Sequence, residues 1–419
     1  METDVESHRT IIEGGSLFDS PKGQIIEGIS LLIKEKKIQW MGNQDELDSE
    51  AGDLIIDATD KFIFPGFINA HTHLSFNFGD KPDQYKMNNR SVQIAYDALV
   101  NAQTYLRYGF TTVRDCGGDG NWESSLRRSI ASGKVVGPRL LASTKAMTQY
   151  GAFEYTGPDP YRLSDIKNQE VISGIDGVTH AVRERKALGA DFIKILLTGA
   201  VSFGQGSDLD LSYWSDDELE AIIAEASRLG TYVSAHAHGD TGVQRGIDAG
   251  VRSIEHGMLM EESTAKKMAA KGTFLVLTET VLKAFSKKEE LAKMPDWMRE
   301  RTIYAKSKMT IAHKAAYEAG VKIAYGTDYL HTETAKEFEH MTKVVGMTTA
   351  DAIKTATLNS AELLRLDDQI GSLEKGKLAD LVILSQDPLG DVKILQDPAN
   401  FHYVIKEGNI VSRAGIIQI

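Results

Sequence analysis

The sequence predicts an α/β protein in which a (β/α)8 TIM barrel carries a small β-sandwich built from the N- and C-terminal segments. Three observations lead to this prediction: eight short apolar runs between residues 62 and 326, helical periodicity between the runs, and alternating apolar residues in both flanks. Continuously apolar runs are typical of parallel strands covered on both faces, and eight such strand–helix units close into a barrel. The runs are Phe62–Ala70, Thr111–Arg114, Arg139–Ser143, Phe192–Leu197, Tyr232–Ala235, Ser253–Glu255, Phe274–Leu277 and Lys322–Tyr325.

The segments after the fourth and fifth runs show how the helices are predicted. Ser215 and Glu218 have the spacing of a capping box, and an amphipathic apolar stripe follows them. His236 and His256 are twenty residues apart, about one strand–loop–helix–loop unit, with a helix predicted over Thr241–Ala249. Both histidines are therefore predicted at equivalent strand ends.

Both ends of the chain have the pattern of β-hairpins. Short alternating runs such as Ile29–Ile33 and Tyr403–Ile405 are separated by turns that contain glycine. Neither flank is long enough for a core of its own. We therefore expect residues 1–62 and 367–419 to form one composite β-sandwich beside a barrel of residues 63–366.

The composition excludes several classes of protein. The chain has 419 residues, of which 42% are hydrophobic and 25% charged, as is typical of folded globular proteins. A formal net charge of −12 repels nucleic acid and anionic membrane surfaces. No run resembles a membrane-spanning helix or a signal peptide, which predicts a cytoplasmic protein that forms no membrane contacts. Cys116 is the only cysteine, so a metal site must use histidine, carboxylate or a less common ligand.

Five side chains able to bind metal lie at predicted strand ends. His71 and His73 are two residues apart at the end of the first run, so both imidazoles point to the same side of the strand. His236, His256 and Asp328 follow the fifth, sixth and eighth runs. Catalytic groups of such barrels gather at the C-terminal ends of the strands, so we expect these side chains to meet.

Lys194 lies within the fourth apolar run, where a charged ammonium group is costly. One interpretation is a lysine that reaches solvent or a salt-bridge partner. The other is reaction with CO2 to give an anionic carbamate that bridges two metal ions.

These segments together resemble the amidohydrolase superfamily, and the resemblance covers nearly the whole chain. The segments that carry it are Pro65–Leu74, Asp191–Gly199, Val233–Gly239, Ser253–Gly257, Gly326–Asp328 and the tail segments 359–366 and 371–382. The sequence is most similar to the Xaa-Pro dipeptidase (prolidase) and carboxypeptidase-like members, and it is also related to imidazolonepropionase. Those peptidase-like members hydrolyse peptides and N-acyl amino acids.

The resemblance implies a ligand set for two divalent metal ions, for which we expect Zn²⁺. His71, His73 and Asp328 would hold one ion, and His236 and His256 the other. A CO2-derived carbamate on Lys194 and a hydroxide would bridge both ions.

Three side chains receive predicted roles in the reaction on a small-molecule substrate. Asp328 takes the proton of the attacking water and delivers it to the leaving amine. His238 donates a hydrogen bond to the substrate carbonyl, or alternatively only supports a ligand or is exposed. Tyr150, with Phe153 and Tyr155, forms an apolar wall for the acyl side chain, or alternatively packs within its loop.

Two other functions stay open. One is a ring hydrolase similar to imidazolonepropionase, or a deaminase, with a single metal ion; Lys194 argues against it. The other is a non-catalytic scaffold, which the complete ligand set disfavours. Assembly into a homo-oligomer is possible.

The sequence also allows predictions about the positions of four other histidines and about basic residues that could bind a substrate. His180 and His313 are expected to be exposed, whereas His331 and His340 are candidates to line the pocket. Four basic residues are candidates for binding a substrate carboxylate, and the sequence does not choose among them: Arg114, Arg139, Lys145 and Arg245.

Overall fold

A computed structural model describes residues 9–76, 91–118, 122–151, 169–202, 206–328 and 331–418 of the chain. Its strands fall into one terminal sheet and a ring of parallel strands. The strands are β1 Thr10–Asp19, β2 Gln24–Lys34, β3 Lys37–Asn43, β4 Leu54–Asp57, β5 Phe62–Pro65, β6 Phe67–Thr72, β7 Phe110–Asp115, β8 Arg139–Ala142, β9 Ala146–Thr148, β10 Gln169–Val171, β11 Ile193–Leu196, β12 Val233–Gly239, β13 Ser253–Leu259, β14 Phe274–Leu277, β15 Ile323–Tyr325, β16 Leu381–Leu384, β17 Phe401–Lys406, β18 Asn409–Arg413 and β19 Ile416–Ile417.

Helices alternate with the strands of the ring and continue beyond it. They are α1 Ser91–Arg107, α2 Trp122–Ala131, α3 Ile175–Ala187, α4 Asp216–Arg228, α5 Asp240–Ala249, α6 Glu262–Lys271, α7 Glu279–Phe285, α8 Lys288–Leu291, α9 Asp296–Glu318, α10 Lys336–His340, α11 Thr349–Lys354 and α12 Ser360–Leu364. Short 3₁₀-helices lie at Gln44–Glu46, His331–Glu333, Val392–Gln396 and Pro398–Asn400, and π-helical turns at Met341–Val345 and Thr355–Asn359. Ser215 caps α4 through a complete capping box with Glu218, as predicted.

The ring is an eight-stranded barrel. Strands β6, β7 and β8 form one parallel sheet, and β9 to β15 another in which β11, β12, β13, β14 and β15 are successive neighbours. The amide of Asp191 donates to the carbonyl of Ala142 at 2.9 Å and so joins β8 to the start of β11. A parallel bridge between Thr72 and Asp328 joins β15 to β6. All eight predicted runs contain a barrel strand, which confirms the predicted fold class.

The first predicted run is divided into two strands, which the sequence did not indicate. Phe62–Pro65 pairs with β1 and β16 in the terminal sheet, and only Phe67–Thr72 belongs to the barrel. Gly66 lies between them, where a Cβ atom would be 2.3 Å from Oγ1 of Thr111. The chain therefore passes from one sheet to the other where a side chain would not fit.

The terminal sheet combines strands from both ends of the chain. Its order is β19-β18-β17-β16-β5-β1-β2-β3, with β4 paired to β1. A separate apolar cluster covers it, built from both ends: Ile12, Leu31, Ile63, Leu381 and Ile405 are all buried within it. Within the described ranges, no helix combines the length and the apolar character needed to cross a bilayer.

Candidate active site

Five histidines cluster at the C-terminal ends of β6, β12 and β13. The ring centroids of His71 and His256 are 4.9 Å apart, and those of His236 and His256 are 4.6 Å apart. The ring of His73 is 5.4 Å from that of His71, and the ring of His238 is 4.6 Å from that of His236. Strands from two separate parts of the chain thus bring the predicted histidines into one cluster.

Asp328 follows β15 and faces the first histidine pair. Its Oδ1 atom is 3.5 Å from Nε2 of His73 and 4.0 Å from Nε2 of His71. Its backbone has a φ of 63°, and that of His256 has a φ of 76°. Both residues are in the left-handed region, which is uncommon outside glycine and concentrates at functional sites.

Lys194 lies in β11 and is buried, with only 2% of its surface exposed. Its Nζ atom has no hydrogen-bond partner among the residues that the structure describes. Lys194 pairs with Ser234 of the neighbouring strand β12, and Leu196 of β11 pairs with His236 of β12. The lysine is thus held inside the barrel beside the strand that carries His236 and His238.

Burial and nearby charges keep the imidazoles of this cluster neutral. Burial, with a contribution from the Lys194 ammonium, lowers the pKa of His71 to about 4 and that of His238 to about 3. Burial also holds the pKa values of the other three imidazoles well below the usual range. Neutral imidazoles with available lone pairs are the form that binds metal.

Burial raises the pKa of Asp328 to about 7, although the Lys194 ammonium acts in the opposite direction. Burial thus favours the protonated carboxyl group more than water does. The proton-transfer role of Asp328 stays a prediction.

Hydrogen bonds orient several of the imidazole rings. Nδ1 of His71 donates to Oε2 of Glu255 at 2.6 Å, and Nδ1 of His73 lies 3.2 Å from the carbonyl oxygen of Gly117. Nδ1 of His256 lies 2.7 Å from the hydroxyl of Thr278. These contacts leave the Nε2 atoms of the three rings as the atoms available to a cation.

Two groups of side chains in the described part of the chain have the spacing that a metal ion requires. His71, His256 and Asp328 offer ligand atoms within 4.8 Å of one another, and so do His71, Cys116 and Glu255. Burial raises the pKa of the Cys116 thiol to about 12, so the second group lacks a thiolate near neutral pH. The first group is the better candidate.

Sequence reasoning missed a buried ion pair beneath the histidines. Arg114 and Glu255 have fully buried side chains, and Nη2 of the arginine is 2.8 Å from Oε1 of the carboxylate. Burial alone would raise the pKa of Glu255, but the Arg114 charge and the His71 hydrogen bond hold it well below its usual range. The available signal was that Arg114 and Glu255 each lie within a predicted barrel strand, although neither residue indicates its partner.

The expectation that His313 is exposed is wrong, because the residue lies on the barrel-facing side of α9 and is fully buried. Its Nε2 donates to the carbonyl of His256 at 2.7 Å, and its Nδ1 lies 2.9 Å from Oε1 of Glu279. His331 is also buried and contacts Tyr105. His180 is exposed, as expected.

Three of the four basic candidates for a substrate carboxylate have carboxylate partners within the protein. Besides Arg114, Arg139 pairs with Asp380 at 2.6 Å, and Arg245 pairs with Asp216 at 2.5 Å. Each of these three charges is therefore engaged by a carboxylate of the protein itself.

The structure describes the positions of only some of the residues predicted to contact the substrate. His238 is buried, and its Nδ1 has no hydrogen-bond partner among the described residues. Tyr150 follows β9 in a turn and is 61% exposed. Phe153 and Tyr155 lie outside the described residues, so the predicted aromatic wall stays a prediction.

Comparisons with known proteins bear on this arrangement. Ochratoxinase of Aspergillus niger is 29% identical over 450 residues, covering 98% of this chain and 88% of that protein. Imidazolonepropionase of Clostridium tetani is 24% identical over 421 residues, covering 92% of this chain and 91% of that protein. A solved structure of a prolidase complexed with N-methylphosphonate-L-proline has a TM-score of 0.88 and 31% identity, covering 97% of this chain and 100% of that one.

The family model of the amidohydrolase family matches residues 62–411, which include every predicted ligand. The match extends over the whole barrel and into the C-terminal strands of the terminal sheet. Metal dependence is typical of this family. The chain belongs to the amidohydrolase family and is a hydrolase of carbon–nitrogen bonds.

Proposed function

We propose that this protein is a binuclear metal-dependent amidohydrolase that cleaves an amide bond in a dipeptide of the Xaa-Pro type or in an N-acyl amino acid. One observation carries the proposal: a buried lysine without a partner among the described residues stands beside five neutral imidazoles and one carboxyl group. A buried ammonium in this position is unfavourable, whereas an anion between two cations is not.

In this proposal, His71, His73 and Asp328 would hold one divalent cation, and His236 and His256 the other. The group with the spacing for a metal ion, His71, His256 and Asp328, contains members of both sets. The buried Nε2 of His71 has no hydrogen-bond partner among the described residues, as expected of an atom reserved for a cation. Imidazole and carboxylate donors suit zinc.

Lys194 would complete the site after reaction with CO2. The ammonium would first give one proton to solvent. The neutral amine would then attack the carbon of CO2: a nitrogen–carbon bond forms, one carbon–oxygen π bond opens, and a second proton passes from the nitrogen to solvent. The product would be a carbamate whose two oxygens share one negative charge and could serve as ligands for the cations.

The chain's own residues would then carry out the proton transfers. Bound divalent cations supply a water of lowered pKa and polarise the substrate carbonyl. The carboxylate of Asp328 takes the proton of the attacking water and later gives it to the leaving nitrogen. His238, whose ring is 5.1 Å from that of His256, would donate a hydrogen bond to the carbonyl oxygen, where negative charge develops.

The substrate class is supported by the relatives. The prolidase with 31% identity is complexed with N-methylphosphonate-L-proline. The match with ochratoxinase covers 98% of this chain. Tyr150 is proposed as a contact for the acyl group. Imidazolonepropionase is the more distant of the curated relatives described, and Lys194 argues against a one-metal ring hydrolase.

The test is release of amino acids, measured by mass spectrometry, from pooled Xaa-Pro dipeptides, other dipeptides and N-acyl amino acids. The protein is loaded with zinc in bicarbonate, and Asp328→Asn loaded in the same way is the matched control. We expect release by the wild type and a loss of at least a hundredfold in the variant. The absence of release from every pool, with two zinc ions bound, would contradict the substrate class.

A further inference from the structure

Among the described residues, four groups donate hydrogen bonds to the carboxylate of Glu255. Oε1 accepts from the hydroxyls of Ser234 and Ser253, both at 2.6 Å, and from Arg114 at 2.8 Å. Oε2 accepts from Nδ1 of His71 at 2.6 Å. One oxygen is therefore fixed by three donors of the scaffold, and the other faces a single imidazole.

The three donors to Oε1 of Glu255 belong to the strands of the barrel. Ser234, Ser253 and Arg114 come from three different barrel strands, and all are buried. Arg114 also donates through Nε to the carbonyl of Ala70, the residue that precedes His71. The same guanidinium thus holds both the carboxylate and the strand segment that carries the imidazole.

The contact with Glu255 determines the chemical form of His71. A neutral imidazole has one N–H group, and a carboxylate accepts but does not donate. Because Nδ1 donates to Glu255, the lone pair must be on Nε2, the buried atom that lies 4.0 Å from Asp328. Without the carboxylate, the ring is free to carry its proton on Nε2, which cannot then bind a cation.

We infer that Glu255 is a positioning residue that fixes the Nδ1–H tautomer and the orientation of His71, and thereby sets the affinity for the metal ion at the His71, His73 and Asp328 side of the site. Glu255 touches neither the ion nor the substrate in this account. The inference rests on the proposed binuclear function. Losing such an outer hydrogen bond typically weakens metal affinity by about 10- to 100-fold.

The test compares Glu255→Gln with a second buried carboxylate that has an arginine partner but no histidine. Asp380 has a side chain only 2% exposed and pairs with Arg139 at 2.6 Å. Its carbonyl accepts from the amide of Gly66, at the start of β6 and thus at the end of the barrel opposite His71. Asp380→Asn is therefore a matched control for the loss of a buried, arginine-paired charge.

The measurements are zinc affinity by competition with a chromogenic chelator, the visible spectrum after Co²⁺ loading, and the melting temperature of the metal-free protein. We expect Glu255→Gln to bind one of two zinc ions about 10- to 100-fold more weakly, with a changed Co²⁺ spectrum. Asp380→Asn should lose thermal stability but keep both zinc affinities and the spectrum. If Glu255 only stabilised the fold, both variants would lose thermal stability and keep their zinc affinities and Co²⁺ spectra.

The outcomes separate the inference from the function on which it rests. Zinc affinity and a Co²⁺ spectrum equal to wild type in Glu255→Gln would overturn the inference. A wild-type protein that binds fewer than two ions would overturn the binuclear function itself. If Glu255→Gln does not fold, Arg114→Met combined with Glu255→Gln removes both charges and keeps the core neutral, and the same loss of affinity is expected.

Discussion

Two buried basic side chains in the barrel, Arg114 in β7 and Lys194 in β11, have very different surroundings. Arg114 pairs with Glu255 at 2.8 Å and also donates to the carbonyl of Ala70. The Nζ of Lys194 has no hydrogen-bond partner among the described residues. Glu255 neutralises the first charge by direct contact, whereas Glu255 and Asp328 interact with the second through charge without a hydrogen bond to it. In the proposed function, Arg114 therefore belongs to the scaffold and Lys194 to the reacting centre.

The largest expected effect is on activity and comes from Lys194→Met, which keeps a side chain of similar length and removes the amine. We predict a fall in kcat/KM of about three orders of magnitude, equivalent to about 4 kcal/mol, because no bridging carbamate can form. The free energy of unfolding of the metal-free protein, measured by urea denaturation, should not fall. A variant that retains the activity of the wild type would remove Lys194 from the reacting centre.

Unlike Lys194→Met, Arg114→Met should lower the free energy of unfolding of the metal-free protein. It leaves the Glu255 carboxylate buried without its charge partner, which costs about 3–5 kcal/mol in comparable buried pairs. Urea denaturation of metal-free Arg114→Met and Lys194→Met, side by side, measures the contrast. Equal free energies of unfolding of the two variants would show that the protein does not neutralise the Arg114 charge more than the Lys194 charge.

The smallest effect is expected from Ser253→Ala. It removes one of the three donors to Oε1 of Glu255 and leaves Arg114 and Ser234 in place. We predict a loss of about 1 kcal/mol in the free energy of unfolding, the usual contribution of a single hydrogen bond. A loss as large as that of Arg114→Met would mean that the hydroxyl, not the guanidinium, holds the carboxylate.

The barrel strands and the candidate site residues could be predicted because each depends on a local pattern. Short, continuously apolar runs between helical segments indicate strands, and His71 and His73 occupy the same side of one strand by spacing alone. The position of Lys194 inside such a run was enough to single it out. These features need no knowledge of which strands are neighbours.

The rest of the site depends on contacts between distant parts of the chain. Arg114 and Glu255 are 141 residues apart, so neither residue alone indicates the pair. His313 lies in a long helix whose sequence does not show which face meets the barrel, and its contact with His256 spans 57 residues. Gly66 marks the change of sheet only when Thr111 is beside it.

Reversal of the Lys194 charge by CO2 can be observed directly by spectroscopy. Wild-type protein and Lys194→Met are loaded with zinc in ¹³C-labelled bicarbonate and compared by ¹³C NMR. We predict one carbamate carbon resonance in the wild type that is absent from the variant. A wild-type protein that binds two zinc ions and shows no such resonance would contradict the formation of a carbamate on Lys194.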